Sequence, residues 1–167
     1  MCEILDRRRN KHYLNFPALV NETKSILTLN IFYININRLA NKLDELEVLL
    51  ASLNETVDVI VLTETFLSKT DTQYINLNGY KAFHSVRESR TGGGVSIFCH
   101  DNLDFTLLSD EIHDENQCLI VCSRKLNFNI AGIYKPPHSN SKTFLSFLDR
   151  IASSNKNQII VILNTYL

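Results

Sequence analysis

The chain has 167 residues, one domain's worth, and 44% of them are hydrophobic, the composition of a protein that buries a core. With 17 Lys and Arg against 18 Asp and Glu it is nearly neutral, which argues against a broadly basic nucleic-acid coat but leaves room for a local basic groove. No stretch has the length and apolarity of a membrane span, and Cys2, Cys99, Cys118 and Cys122 follow neither a disulfide-framework nor a zinc spacing; free thiols and an intracellular protein, nuclear or cytoplasmic, are expected.

Residues 1–25 carry no clear period and are expected to be an irregular leader, with Arg7-Arg8-Arg9-Asn10-Lys11 a solvated run or a short nuclear signal. The domain proper is expected over 26–167. Ile26–Ile36 alternates and is rich in Ile, Leu, Phe and Tyr, which suits a strand. From Arg38 to Asn54, Leu39, Leu43, Leu46, Leu50 and Leu53 recur at spacings of four and three, one face of an amphipathic helix. Val57–Leu62 is a nearly continuous apolar run and reads as a buried strand parallel to the first, completing a β-α-β unit.

After Glu64 short strands are predicted at Gly79–Ser85, Gly94–Cys99, Leu103–Leu108, Cys118–Ser123 and Phe128–Tyr134. Asn78-Gly79, Gly92-Gly93, Asp101-Asn102 and Leu126-Asn127 separate them as turns. Strands that follow one another without helices imply antiparallel pairing. Pro136-Pro137 breaks the chain, Asn140 or Ser141 caps a second helix with Phe144, Leu145, Phe147, Leu148 and Ile151 as its apolar positions, and Gln158–Leu163 reads as a last buried strand.

Ligands of α/β domains bind where side chains leave the ends of strands. Asn35 stands near the end of the first strand and Glu64 directly follows the second, so an amide and a carboxylate converge if the strands are adjacent and parallel. That donor chemistry suits Mg²⁺, which takes oxygen ligands, keeps several waters and needs few carboxylates. The spacing alone equally describes a solvated cap and a turn former. Tyr134-Lys135 before the two prolines places a phenol and an ammonium at another strand end, where the lysine either meets a phosphate or stays on the surface. The glycine run after Arg87 opens a strand and not a helix, so it is a hairpin connection and not a phosphate-cradling loop.

Taken in order, Asn35-Ile36-Asn37-Arg38-Leu39, Asn41-Lys42-Leu43-Asp44-Glu45-Leu46 and Thr63-Glu64-Thr65-Phe66-Leu67 resemble the opening of the endonuclease/exonuclease/phosphatase superfamily. Gly79-Tyr80, Arg87 through Gly92-Gly93-Gly94-Val95-Ser96-Ile97, and Gly132-Ile133-Tyr134-Lys135-Pro136-Pro137-His138-Ser139-Asn140 extend the likeness in the right order. The set is most similar to the apurinic-type endonuclease of jockey-like and related LINE elements, and it covers roughly residues 25–167. The resemblance implies a DNase I-like four-layer α/β sandwich, DNA as partner, Mg²⁺ as cofactor, a linked reverse transcriptase absent from this chain, and phosphodiester hydrolysis that nicks target DNA. It makes Glu64 the metal ligand, Asn35 and Tyr134 the residues that arrange and contact the phosphate, and Arg38 and Lys135 substrate contacts.

The likeness breaks after the last strand. Where the family reads Gly-Asp-Phe-Asn, this chain reads Asn164-Thr165-Tyr166-Leu167, so Thr165 stands at the position of the water-activating Asp and Leu167 at that of the phosphate-orienting Asn. A late Asp-His pair is missing too. The expectation is therefore a sandwich whose second sheet lacks its C-terminal strands, of marginal stability, and an enzyme remnant without catalysis, since groups acting as a unit fail together.

Overall fold

The computed structural model describes residues 4–6, 11–19, 26–87, 92–154 and 161–164. The strand β3 (Ile26–Asn35) crosses through α1 (Leu43–Ala51) to β4 (Val59–Thr63), and the two strands pair in parallel with Ile31 opposite Val59 and Asn35 opposite Thr63. Both faces of β3 are used. Leu29, Ile31 and Tyr33 point to one side, whereas Phe32 and Ile34 point to the other, toward Leu39 and Leu46. A strand buried on both faces has to be apolar throughout, which is why this one lacks polar alternation.

The helix α1 is shorter than its leucine spacing suggests. Leu39–Asn41 forms a 3-10 turn, and Arg38 before it adopts a left-handed conformation that breaks the run. Asp44 and Glu45 in its first turn oppose the positive end of the helix dipole. Of its own leucines only Leu46 is fully buried, while Leu43, Leu49 and Leu50 pack partly against the sheet.

Five more strands follow one another without an intervening helix: β5 (Tyr80–Ser85), β6 (Val95–His100), β7 (Thr106–His113), β8 (Asn116–Ser123) and β9 (Phe128–Tyr134). The helix α2 (Ser141–Ser154) is capped by Asn140, whose Oδ1 accepts the N–H of Lys142 at 2.8 Å and of Thr143 at 3.4 Å. It leads to β10 (Val161–Asn164), parallel to β9.

The pairings sort these strands into two sheets. Ahead of β3 lie β1 (Ile4–Asp6) and β2 (Lys11–Leu19), and the first sheet runs β1-β2-β3-β4-β6-β5. The second runs β10-β9-β8-β7. Between them Val59, Val61, Val95 and Ile97 meet Leu119, Val121, Ile130 and Phe105. Outside the first sheet lies α1; outside the second, Phe144, Phe147 and Ile151 of α2 cover Cys118, Ile120, Ala131 and Ile133. The order helix, sheet, sheet, helix makes a four-layer α/β sandwich, as expected.

Three expectations need correction. Residues 1–25 are not wholly irregular, because β1 and β2 lie within them, and β2 pairs antiparallel with β3 from Ile26 to Ile34. Pro17 argues locally against a strand, and the hydrogen bonds to a distant partner outweigh that preference. The strand expected at Leu103–Leu108 is β7, displaced to Thr106–His113. It is an edge strand with a bulge between Leu107 and Ser109, and its mostly exposed residues hide the alternation. The helix expected over 38–54 is the nine-residue α1. The last strand was expected from Gln158, and residues 158–160 lie outside the described residues.

The two sheets pack tightly at Gly132. A Cβ there would fall 2.8 Å from Val95 Cγ1 and 3.0 Å from Val61 Cγ1. Gly132→Val should therefore cost about 1–3 kcal/mol by overpacking, read as a lower urea midpoint with an unchanged slope; an unaltered midpoint would contradict the close contact.

A second prediction concerns His84 on β5. Its Nδ1 lies 2.8 Å from Ser96 Oγ, its ring meets Phe98 edge-on, and its Nε2 is buried without a partner. Burial lowers its pKa from the ordinary 6.5 to about 4. The folded chain then keeps His84 neutral where the unfolded chain protonates it. Its contribution is complete above pH 6.5 and is lost as the pH falls from about 6.5 to about 4, a change on the order of 3 kcal/mol. Urea denaturation across that range should give a flatter profile for His84→Gln than for the parent, and superimposable profiles would refute the assignment.

Candidate active site at one edge of the sandwich

Strand direction brings the candidate residues together. Asn35 at the end of β3 is opposite Thr63 at the end of β4, and Thr63 is opposite Val95 at the start of β6, which is opposite Ser85 at the end of β5. In the second sheet Gln117 near the start of β8 is opposite Tyr134 at the end of β9, and Tyr134 is opposite Asn164 of β10. Gln117 joins the two sheets. Its Oε1 accepts the Gly94 N–H at 2.8 Å, and its Nε2 donates to Ser85 Oγ at 3.2 Å.

The backbone around Glu64 is tightly laced. Ile36 N donates to Thr63 O, Arg38 N to Glu64 O and Leu39 N to Thr65 O, at 2.9–3.0 Å. From the other side, Phe66 N donates to Gly93 O at 2.9 Å. Asn37, Arg38, Glu64 and Phe66 all have positive φ, between 46° and 75°. These are four of the seven non-glycine residues with positive φ among those described, and the other three, Asp114, Glu115 and Asn127, sit in hairpin turns. Strain of this kind persists only where surrounding bonds enforce it, and it clusters at sites.

Glu64 and Tyr134 are both buried, at 7% and 5% exposure. Asn35 Oδ1 and Thr65 Oγ1 are buried with no hydrogen-bond partner. A buried oxygen without a donor costs about 1–3 kcal/mol, so two such atoms on residues at or just past the ends of β3 and β4 are sites where a ligand would repay the loss. Arg38 lies over the Phe66 ring at 5.1 Å and so borders the same loop. Lys135 does not join the group: its ammonium sits 5.9 Å from the Phe144 ring, on the α2 side of the second sheet. Thr165 and Leu167 lie outside the described residues.

Sequence reading missed the polar network beneath these residues. Arg87 Nε donates to Gln117 Oε1 at 3.0 Å, Arg87 Nη2 donates to Glu115 O, and the guanidinium lies over Tyr134, 5.4 Å from the ring centre. The Ser85 hydroxyl also pairs with Asp110 across the sheets; burial raises that carboxyl and this hydrogen bond opposes the rise. The one signal available beforehand was a polar Asn116-Gln117 pair leading into an apolar strand. A groove of about 780 Å³ beside α1 takes in Asn35, Ile36, Lys42 and Glu45, but neither Glu64 nor Tyr134 lines it.

No family profile matches the chain, and no curated protein matches it. Solved structures do match. NExo, a 3′ phosphatase from Neisseria bound to a product DNA hairpin, aligns at 15% identity and a TM-score of 0.54 over 81% of this chain and 56% of that one. The endonuclease domain of TRAS1, a telomere-specific non-LTR retrotransposon, aligns at 14% and 0.52 over 81% of this chain and 57% of that one. ANGEL2, a 2′,3′-cyclic phosphatase, aligns at 14% and 0.51 over 94% of this chain and 54% of that one. The fold is thus DNase I-like, shared with these proteins. The chain spans little more than half the length of these three proteins.

Gly94 tests how the site is built. Its φ is +92°, and a Cβ would collide with Thr65 Oγ1 and press on Phe66 N. Gly79 also has positive φ, +82°, but nothing lies within 4 Å of a Cβ there. Gly94→Ala should lose about 2–4 kcal/mol in chemical denaturation and Gly79→Ala about 1 kcal/mol. Equal losses would mean that the Glu64 loop is not held against this turn.

Proposed function

We propose that this chain is an endonuclease-like domain of the non-LTR retrotransposon kind, built for Mg²⁺-dependent phosphodiester hydrolysis, which now contacts DNA phosphate without cutting it at an appreciable rate. The observation that carries the reading is the gathering of Asn35, Arg38, Glu64 and Tyr134 at one edge of a DNase I-like sandwich, where Asn35 Oδ1 and Thr65 Oγ1 are buried without a partner. In elements of that kind the domain works with a reverse transcriptase.

The donor set suits a hard cation. Glu64, Asn35 and Thr65 offer oxygen only, and Mg²⁺ accepts one carboxylate plus neutral oxygens and water. A bound ion would offset negative charge developing on phosphorus. Tyr134 would donate its phenolic proton to a phosphate oxygen, and Arg38 would add positive potential at the rim. At the position where the resemblance calls for a water-activating Asp, the chain has a threonine. Thr165 follows β10 where an acid is needed, and a threonine hydroxyl takes no proton from water near neutral pH.

Supercoiled-plasmid nicking by the purified chain in Mg²⁺ decides the matter. No nicking is expected from the parent. Thr165→Asp combined with Leu167→Asn restores two of the missing groups but not the late Asp-His pair, so slow nicking, far below that of a complete enzyme, is expected, abolished in turn by EDTA or by Glu64→Ala. Parental nicking sensitive to both controls would overturn the assigned inactivity, while a double variant that is folded but silent would count against the site itself. A phosphatase reading shares the same residues, and two of the similar structures are phosphatases. Release of phosphate from a 3′-phosphorylated oligonucleotide without plasmid nicking would favour it.

A further inference from the structure

We propose that Arg87 is the phosphate-holding residue of this edge, and that Gln117 orients its guanidinium through a neutral acceptor; the inference deepens the phosphodiester reading above and rests on it for the identity of the ligand. Arg87 is half-buried, and every hydrogen bond it makes among the described residues goes to a neutral oxygen: the Gln117 amide at 3.0 Å and the Glu115 main-chain carbonyl. Among the described residues no carboxylate pairs with this half-buried cation, so part of the cost of placing it there is recovered when an anion arrives.

Its geometry suits that task. The guanidinium lies 5.4 Å from the centre of the Tyr134 ring, and a Cβ on Gly93 would approach its Cζ to 3.1 Å, so ring and turn hold its plane from two sides. A guanidinium has five N–H donors and these contacts use two, leaving an unspent part of the fork for phosphate oxygens. The anion would sit against Tyr134, the residue already assigned to phosphate contact. Packing supplies the orientation: Gln117 is fully buried, and its amide is pinned by the Gly94 N–H and Ser85 Oγ, so Oε1 has to face Arg87.

Gln117 offers a clean test because Gln117→Glu keeps shape and acceptor while placing a carboxylate on Arg87. That pair would occupy the cation. The Ser85 hydroxyl, which serves Asp110, would have to give up that bond to donate to the new carboxylate, which is why stability is measured alongside binding. The chain has no tryptophan, so binding is better read from the ligand. The probe is a fluorescein-labelled single-stranded 12-mer in EDTA, followed by anisotropy, with inorganic phosphate as competitor to separate phosphodiester from free-anion binding.

Arg87→Ala and Gln117→Glu should each weaken 12-mer binding about tenfold or more, and Arg87→Lys, which keeps the charge but not the fork, by less. Each variant is compared at matched urea midpoint, and Gln117→Glu covers the case in which Arg87→Ala does not fold. Binding unchanged in Arg87→Ala or in Gln117→Glu overturns the proposal, as does a parent chain that binds neither 12-mer nor phosphate. Arg87-dependent binding with a silent Thr165→Asp and Leu167→Asn variant would leave this inference standing and the hydrolytic reading fallen. Nicking by that variant with Arg87-independent binding would do the reverse.

Discussion

One buried amide holds the two halves of this molecule in register where it matters. Gln117 belongs to the second sheet, yet its partners Gly94, Ser85 and Arg87 belong to the end of the first sheet and its hairpin. The apolar layer between the sheets brings them face to face but is non-directional and would tolerate small slides. Hydrogen bonds in a dry interior do not tolerate them, because a slide would leave the amide unpaired at a cost of about 1–3 kcal/mol. Through Gly93 and Gly94 this register reaches Phe66 and Thr65, and so the backbone on either side of Glu64.

Where neighbours in sequence decide structure, the residues could be read directly. The β3-α1-β4 unit follows from leucine spacing between two apolar runs, β9 matches Phe128–Tyr134, and the α2 start follows from Asn140 as a cap. Where distant partners decide, reading failed. The strand β2 exists by virtue of nine residues paired with β3 despite Pro17, and β7 is an edge strand whose exposed Leu107, Leu108 and Ile112 blur the usual alternation.

The candidate site divides along the same line. Asn35, Glu64 and Tyr134 were visible because each ends a recognisable strand. Arg87 and Gln117 are thirty residues apart and meet only when two sheets close, so no local pattern announces them. Lys135 shows the converse: its place beside Tyr134 in sequence suggested a shared role, yet consecutive strand residues face opposite sides, and it ends over Phe144. Since one fold carries endonucleases and phosphatases alike, the activity of this chain has to be sought in such residues and not in its architecture.

The connections between strands also set an order of assembly. The hairpins β5–β6, β7–β8 and β8–β9 join strands that follow one another, whereas β3–β4 and β9–β10 close only after a helix has been threaded across the sheet. Loop closure comes before the contacts that reward it, so antiparallel ladders mature first and parallel pairs later. In a refolding experiment with pulsed hydrogen exchange, amides of β8 and β9 should gain protection ahead of those shared by β3 and β4. Tyr134 would then be in place early within the β8–β9 ladder, and Asn35 and Glu64 would reach it only when β3 and β4 pair.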